Sequence, residues 1–205
     1  MVTVTAISKV QSRIRLDLSN GNDWWVTPNE FKKLQILEGE EIDPEEFEKA
    51  VILLQYPRGL NLAVSCLARR ACSKEEIRRV LLRNHYNSEV TELILYKLEK
   101  GGFLDDSEFC SQWIHYRSSG KYGINRIRQE LRSKGVDEQI VSEALDSISS
   151  DDQLEQATEM ARKKRQLIKT NSDSYKTKGK IIQSLVRRGF SWDIAKKAWD
   201  RSESD

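Results

Sequence analysis

Histidine is almost missing from this chain of 205 residues: only His85 and His115 occur. Neither stands at metal-ligand spacing to a second histidine or to a cysteine pair, so no histidine-held metal centre is expected. Cysteine is nearly as scarce. The three residues are odd in number and lack metal-site spacing. Cys66 and Cys110 fall at apolar positions of helical patterns, which fits buried free thiols in a reducing cytoplasm and no disulfides. No G-x-x-x-x-G-K-[ST] phosphate cradle is present, and no strand-linked G-x-G-x-x-G. Acid pairs such as Asp105-Asp106 stand where a helix start wants a cap and a negative first turn, which is a better account of them than acid–base chemistry. With no nucleophile and no catalytic constellation, the reading is a non-enzymatic protein that needs no cofactor. No apolar run approaches the ~18 residues that would span a membrane. Met1 to Thr5 offers neither the basic nor the apolar region of a secretory signal.

What the chain does have is charge, 32% of its residues against 38% hydrophobic, and this suits helices with one polar side. The net charge of +2 conceals an asymmetry. Before Pro57 acids dominate, with Glu38, Glu40, Glu41, Asp43, Glu45, Glu46 and Glu48 close together. From Arg58 onward the balance is basic. Such segregation speaks to partners rather than to fold.

Residues 2 to 18 alternate, Ile14, Leu16 and Leu18 on one side and Arg13, Arg15 and Asp17 on the other, the period of a half-buried strand. A turn-rich Ser19 to Asp23 leads to Trp24-Trp25-Val26, a further strand. The paired indoles are either a base-stacking surface or cover for the sheet and an adjoining helix. Thr27-Pro28-x-Glu30 and Asp43-Pro44-x-Glu46 read as helix starts. Sheet is thus expected only before about Thr27. Tyr56-Pro57-Arg58-Gly59 reads as a breaker and domain boundary, followed by a short helix from Leu62 to Arg70. Beyond Leu60 only helical periodicity is found. Ser73-x-x-Glu76 is a capping box, and Thr170 to Ser174 is a polar loop.

The helical part repeats. Ile77, Ile127 and Ile181 align without gaps. Leu81, Leu131 and Leu185 then coincide, as do Tyr86, Val136 and Phe190; Val90, Ile140 and Ile194; and Ile94, Ala144 and Ala198. The cap residues Asn87, Asp137 and Ser191 fall in one column. The offsets are 127 − 77 = 50 and 181 − 127 = 54. A fixed period of this kind marks a repeat architecture, in which units too small to bury their apolar faces alone stack on their neighbours. The expectation is a mainly α protein of tandem three-helix repeats, a solenoid-like module of either hand, preceded by a small N-terminal α+β extension. The divisions are 1–57 for that extension and 60–104, 105–150 and 151–205 for the repeats.

Three segments carry a family resemblance. They are Leu67-x-Arg69-Arg70-x-x-Ser73-x-x-Glu76-Ile77-x-x-x-Leu81; Gly102-Phe103-Leu104-Asp105-Asp106-x-x-Phe109-Cys110-x-x-Trp113-Ile114-x-x-Arg117; and Gly123-x-x-x-Ile127-x-x-Glu130-Leu131-x-x-Lys134-Gly135-Val136. Over residues 60 to 200 the chain resembles the RecX family of regulatory proteins, although alanine is commoner where Cys110 stands. The resemblance implies an elongated, curved fold of nine helices. It also implies a cytoplasmic, monomeric regulator that binds the groove of the RecA–single-stranded-DNA filament and restrains ATP hydrolysis, strand exchange and co-protease activity. The alternative is a non-enzymatic protein that binds single- or double-stranded DNA directly through helix-turn-helix-like repeats. On either reading no membrane is involved.

The candidate contact residues are the cations. Arg69, Arg70, Arg78, Arg79 and Arg83 belong to the first repeat, and Arg117, Lys121, Arg126, Arg128 and Arg132 to the second. Arg162, Lys163, Lys164, Arg165, Lys169, Lys176, Lys178, Lys180, Arg187 and Arg188 belong to the third. Any one of them could be an ordinary solvated residue. Spread over stacked repeats, together they can track a polyanion through counterion release, or an acidic groove through arginine's forked donors.

Overall fold

The computed structural model of the chain describes residues 1–167 and 174–203. It forms two compact units, Met1–Asp105 and Asp106–Asp205. The first opens with three antiparallel strands, β1 (Val2–Val10), β2 (Arg13–Leu18) and β3 (Asp23–Val26). Helix α1 (Pro28–Leu34) follows, capped by the Thr27–Glu30 box. A two-residue strand β4 (Glu41–Ile42) then pairs with β1, completing the order β3-β2-β1-β4. Sheet therefore extends past Thr27, contrary to the periodicity, because two residues are too few to show an alternation.

Helix α2 (Pro44–Leu67) corrects a second expectation. It runs through Pro57 without breaking, and no separate helix begins at Leu62. An interior proline removes one helical hydrogen bond and crowds the preceding turn. Here both halves of the helix are held by burial. Phe47 and Val51 enter the core of the sheet with Val4, Leu16 and Val26, and Ala63 enters a second core with Ile77, Leu81 and Ile94. Between them Gln55, fully buried, donates to the Trp25 carbonyl at 2.8 Å and accepts from the Asn87 N–H at 3.1 Å. Arg58 reaches back to Glu30 at 3.0 Å, so the Tyr56–Gly59 stretch is tied down from two sides. Among the described residues α2 alone is long and apolar enough to cross a membrane by length and composition. Its stripe Phe47, Val51, Gln55, Gly59 and Ala63 faces the two cores instead.

Helices α3 (Lys74–Arg83) and α4 (Ser88–Lys100) complete the first unit. The second contains α5 (Asp106–Ser119), α6 (Ile124–Ser133), α7 (Glu138–Asp146), α8 (Ser150–Leu167), α9 (Ser174–Arg187) and α10 (Trp192–Glu203). No strand occurs among the described residues of 60–200. Of the expected loop from Thr170, residues 170–173 lie outside the described residues, and Ser174 already opens α9.

The repeat is visible in how α3, α6 and α9 end. The N–H groups of Tyr86, Val136 and Phe190 donate to the carbonyls of Leu81, Leu131 and Leu185 at 3.2, 3.3 and 3.2 Å. Each is the long bond of a helix C-terminal motif, and each seats an apolar side chain back on the last turn. The motif needs a left-handed residue just before. Gly135 (φ 76°) and Gly189 (φ 94°) supply it in two repeats, and His85 (φ 58°) in the first. Asn87, Asp137 and Ser191 then cap the next helices, accepting from the N–H groups of Glu89, Gln139 and Ile194. The first three apolar columns are buried throughout, at 5% exposure or less. The last two are mixed, with Val90, Ile94 and Ala198 fully buried. Ile140 and Ala144 are only half-buried, whereas Thr91, Val141 and Ala195, and then Leu95, Leu145 and Trp199, are all at 2% or less. The offsets stay 141 − 91 = 50 and 195 − 141 = 54.

In the second unit α5–α7 and α8–α10 have separate cores, one around Ile127 and Leu131, the other around Leu185 and Phe190. They meet through backbone. Gly123 stands at the start of α6 with no side-chain cap. Its N–H donates to the Arg188 carbonyl at 2.9 Å, and the Asn125 N–H donates to Gly189 at 3.1 Å. The side chain of Gln153, itself 1% exposed, accepts from the Ile124 N–H at 3.1 Å. The free N–H groups that every helix start presents are thus satisfied here by the neighbouring three-helix group.

Candidate interaction surface

Among the described residues, at least ten of the twenty cationic positions are engaged by carboxylates of their own unit. In the first unit Arg70 holds Glu76, Arg78 bridges Glu75 and Glu92, and Arg79 shares Glu75. Hydrogen bonding to Glu92 raises the Arg78 pKa, and the same bond lowers that of Glu92. In the second unit Arg128 and Arg132 converge on Glu138, and their hydrogen bonds hold its carboxyl at about 2. Lys121 and Lys163 converge in the same way on Glu159, also held at about 2. Lys178 pairs with Asp200 at 3.1 Å. Exposed pairs of this kind contribute little to stability, but they cancel the field that the sequence count suggests.

Arg117 is a special case. Its guanidinium forks onto Glu130, with Arg126 and the Trp113 indole N–H on the same carboxylate. It lies 4.6 Å from the Tyr122 ring centroid and 5.2 Å from that of Trp113. Lys134 covers Trp113 from 4.1 Å. Burial alone would raise the Glu130 carboxyl, but the hydrogen bonds from Arg117 and Arg126 outweigh it and hold the group below the usual carboxylate range. The Trp113–Arg117–Glu130 cluster joins α5 to α6, which makes it a framework element. Arg188 closes over Tyr122 at 5.4 Å and donates to the Gly120 carbonyl at 3.4 Å. Arg165 turns inward over Trp199 and donates to the Ser202 carbonyl.

The remaining positions divide by helix. Arg69 follows α2 and Arg83 ends α3, both exposed. Arg162 is exposed and Lys164 half-buried on α8. On α9, Lys176, Lys180 and Arg187 are all exposed, with Ile181, Ile182 and Leu185 buried opposite them. Spaced at i, i+4 and i+11, they share one face and span about 16 Å at 1.5 Å per residue. Lys169 lies outside the described residues. The sequence alone does not separate Lys180 and Arg187 from the paired cations, since the pairing carboxylates come from other turns and other helices.

The other expected chemistry is quickly placed. Cys66, Cys72 and Cys110 are free, and burial pushes the Cys110 thiol up to about 11, far from a reactive thiolate. Among the described residues no group of three His, Cys, Asp or Glu side chains could hold a metal ion. His115 lines a cavity of about 490 Å³ between α5, α7 and α8 with Asp152, Glu155 and Glu159. Trp24 packs edge-on against Phe47 at 5.2 Å, and Trp25 stacks on His85 at 4.4 Å. Of the two indoles, one is a core residue and the other shapes a surface.

Comparison with known proteins agrees with the motifs. Residues 105–145 match the model of the RecX second three-helix domain, and residues 151–199 that of the third. The "Regulatory protein RecX" of Bacillus licheniformis is 32% identical over 207 residues, covering 98% of this chain and 76% of the relative. That of Lactococcus lactis subsp. cremoris is 27% identical over 208 residues, covering 99% and 77%. A crystal structure of a regulatory protein RecX shares the fold with a TM-score of 0.65 at 21% identity, covering all of both chains. RecX from Lactobacillus salivarius gives 0.68 at 22%, covering 74% of this chain and 98% of the other. The chain belongs to the RecX family of regulatory proteins.

Proposed function

We propose that this chain binds the RecA–single-stranded-DNA filament in the cytoplasm and negatively modulates RecA, lowering ATP hydrolysis, strand exchange and co-protease activity without catalysing a reaction itself. The segments 60–104, 105–150 and 151–205 act as successive contact modules, with 1–57 as an appended domain. A chain of weak contacts along a filament gains through effective concentration what each contact lacks in affinity.

The observation that carries this reading is the outer face of α9. Lys176, Lys180 and Arg187 share it, and the helix spends its apolar side on the core. Such a stripe suits a row of phosphates or carboxylates. In contrast to Lys180 and Arg187, Lys163 already serves Glu159, and Arg165 faces Trp199. The test is Lys180→Glu combined with Arg187→Glu. Both sites are exposed, so melting should stay within a few degrees of the parent. Inhibition of RecA ATPase should fall at low salt, and the difference should shrink as salt screens it. A variant that melts normally and inhibits as well as the parent at low salt removes α9 from the interface. Pull-down of RecA filaments, naked single strands and duplex at two salt concentrations separates filament binding from direct DNA binding.

A further inference from the structure

The first unit holds a basic feature that is small in charge but unusual in composition. Where the turn between β1 and β2 meets the end of α3, a cavity of about 380 Å³ opens. Gln11, Ser12, Arg13, Trp25, Arg83 and His85 line it, and no carboxylate does. Asp23 borders a different cavity, of about 250 Å³, which shares Trp25 and His85. The Trp25–His85 stack therefore borders both cavities, one with Asp23, which Arg15 pairs at 3.2 Å, and the other with Arg13 and Arg83.

Among the described residues no ion pair holds Arg13. Its Nη2 donates to the Asn84 carbonyl at 3.0 Å, and its Nη1 is buried with no partner. Glu30 is held by Arg58, and Arg58 acts on Arg13 more strongly than Glu30 does. Arg83 is exposed, and no ion pair holds it among the described residues. A half-buried cation left in this way is relieved by an anion nearby, since burying unpaired charge is costly.

The aromatic wall is also built against a local preference. His85 sits at φ 58° in the column where the other two repeats place Gly135 and Gly189. Glycine adopts that conformation freely and a side chain does not. The ring that results lies 4.4 Å from Trp25 at an interplanar angle of 22°. Trp25 is itself fixed by its indole N–H on Asp23 at 2.9 Å. A strained backbone position that displays a ring beside unpaired arginines points to a use for the ring.

We propose that this cavity takes one nucleotide of a single-stranded nucleic acid, with its base against the Trp25–His85 stack and its phosphate in the field of Arg13 and Arg83. Aromatic faces beside cations are the general solution for unpaired bases, and the volume suits a ligand of that size. Of the cations picked out by charge, only Arg83 belongs to this site, and the proposal does not rest on the RecA reading.

The test uses the full chain and fluorescence anisotropy with three labelled probes: a short oligo-dT, an abasic oligomer of the same length, and a polyglutamate peptide. His85→Gly removes the ring and relaxes the backbone, so it should melt no lower than the parent. It should weaken oligo-dT binding about tenfold and leave the abasic oligomer unaffected. Arg83→Ala should weaken both oligomers. The proposal is overturned if His85→Gly binds oligo-dT as the parent does. It is equally overturned if polyglutamate binds as tightly as oligo-dT and loses as much with Arg83→Ala, which would assign the cavity to an acidic peptide.

Discussion

Replacing Gly123 by alanine probes the junction within the second unit. A Cβ at this position would lie 2.3 Å from the carbonyl carbon of Gly189 and from the Phe190 nitrogen, and 2.4 Å from the Gly189 oxygen. All three are backbone atoms, so no side chain can swing aside. Gly189 is itself closely packed, since a Cβ built there would lie 2.4 Å from the Arg126 nitrogen. The two segments must part, and two hydrogen bonds go with them, Gly123 N–H to Arg188 and Asn125 N–H to Gly189. At about 1 kcal/mol for each bond and about 1–3 kcal/mol for overpacking, the loss should be about 3–5 kcal/mol. Gly179→Ala is the control. Gly179 lies within α9 with nothing within 4 Å of a new Cβ, so alanine should stabilise by about 1 kcal/mol through helix propensity. Urea unfolding followed by circular dichroism measures both. If Gly123→Ala unfolds at the parental midpoint, the close backbone contact is wrong and so is the account of how α6 is capped.

Two further perturbations follow from the fold. Pro57→Ala should stabilise by about 1–3 kcal/mol, because Pro57 is exposed inside a continuous helix and alanine restores a hydrogen bond; an unchanged melting temperature would refute this. Glu130 has a folded pKa below its unfolded value. Its contribution is therefore present at neutral pH and is lost as pH falls below about 4 toward the folded value. Glu130→Gln should cost about 1–3 kcal/mol at pH 7 and converge on the parent in acid, and a pH-independent difference would refute that sign.

The repeat is legible in the sequence through those buried positions that are also apolar. Ile77, Leu81 and their equivalents could be aligned because nothing polar interrupts them. A further buried column, one residue on, was hidden because its first member is Thr91, a buried hydroxyl that patterning assigns to the surface. The left-handed column was hidden for a similar reason, since His85 stands where the other repeats show glycine. Pro57 misled because local breaking rules carry no knowledge of burial on both sides of α2. β4 left no pattern at all. The ion pairs were illegible for a different reason. Glu130 reaches Arg117 across 13 residues and Glu159 reaches Lys121 across 38, distances over which only the fold decides.

Pairing of this kind changes what the basic residues can be expected to do. A cation already paired with a carboxylate gains little by moving to a phosphate, because the carboxylate it leaves must take up a cation from solution. Counterion release then nearly cancels. Only unpaired charge drives salt-dependent binding, with a slope of about −0.7 per phosphate contact on single strands. Twenty cations acting together would give a slope of about −14 on that scale. Lys180 and Arg187 on the α9 face would give about −1.4, and adding Arg13 and Arg83 would bring it to about −2.8. Binding of oligo-dT measured between low and physiological salt distinguishes these cases directly. A slope near −3 means that the ion pairs stay closed and the few free cations carry the contact. A slope beyond about −8 means that the pairs at Glu138 and Glu159 open on binding, and that framework and contact cations are not separate sets.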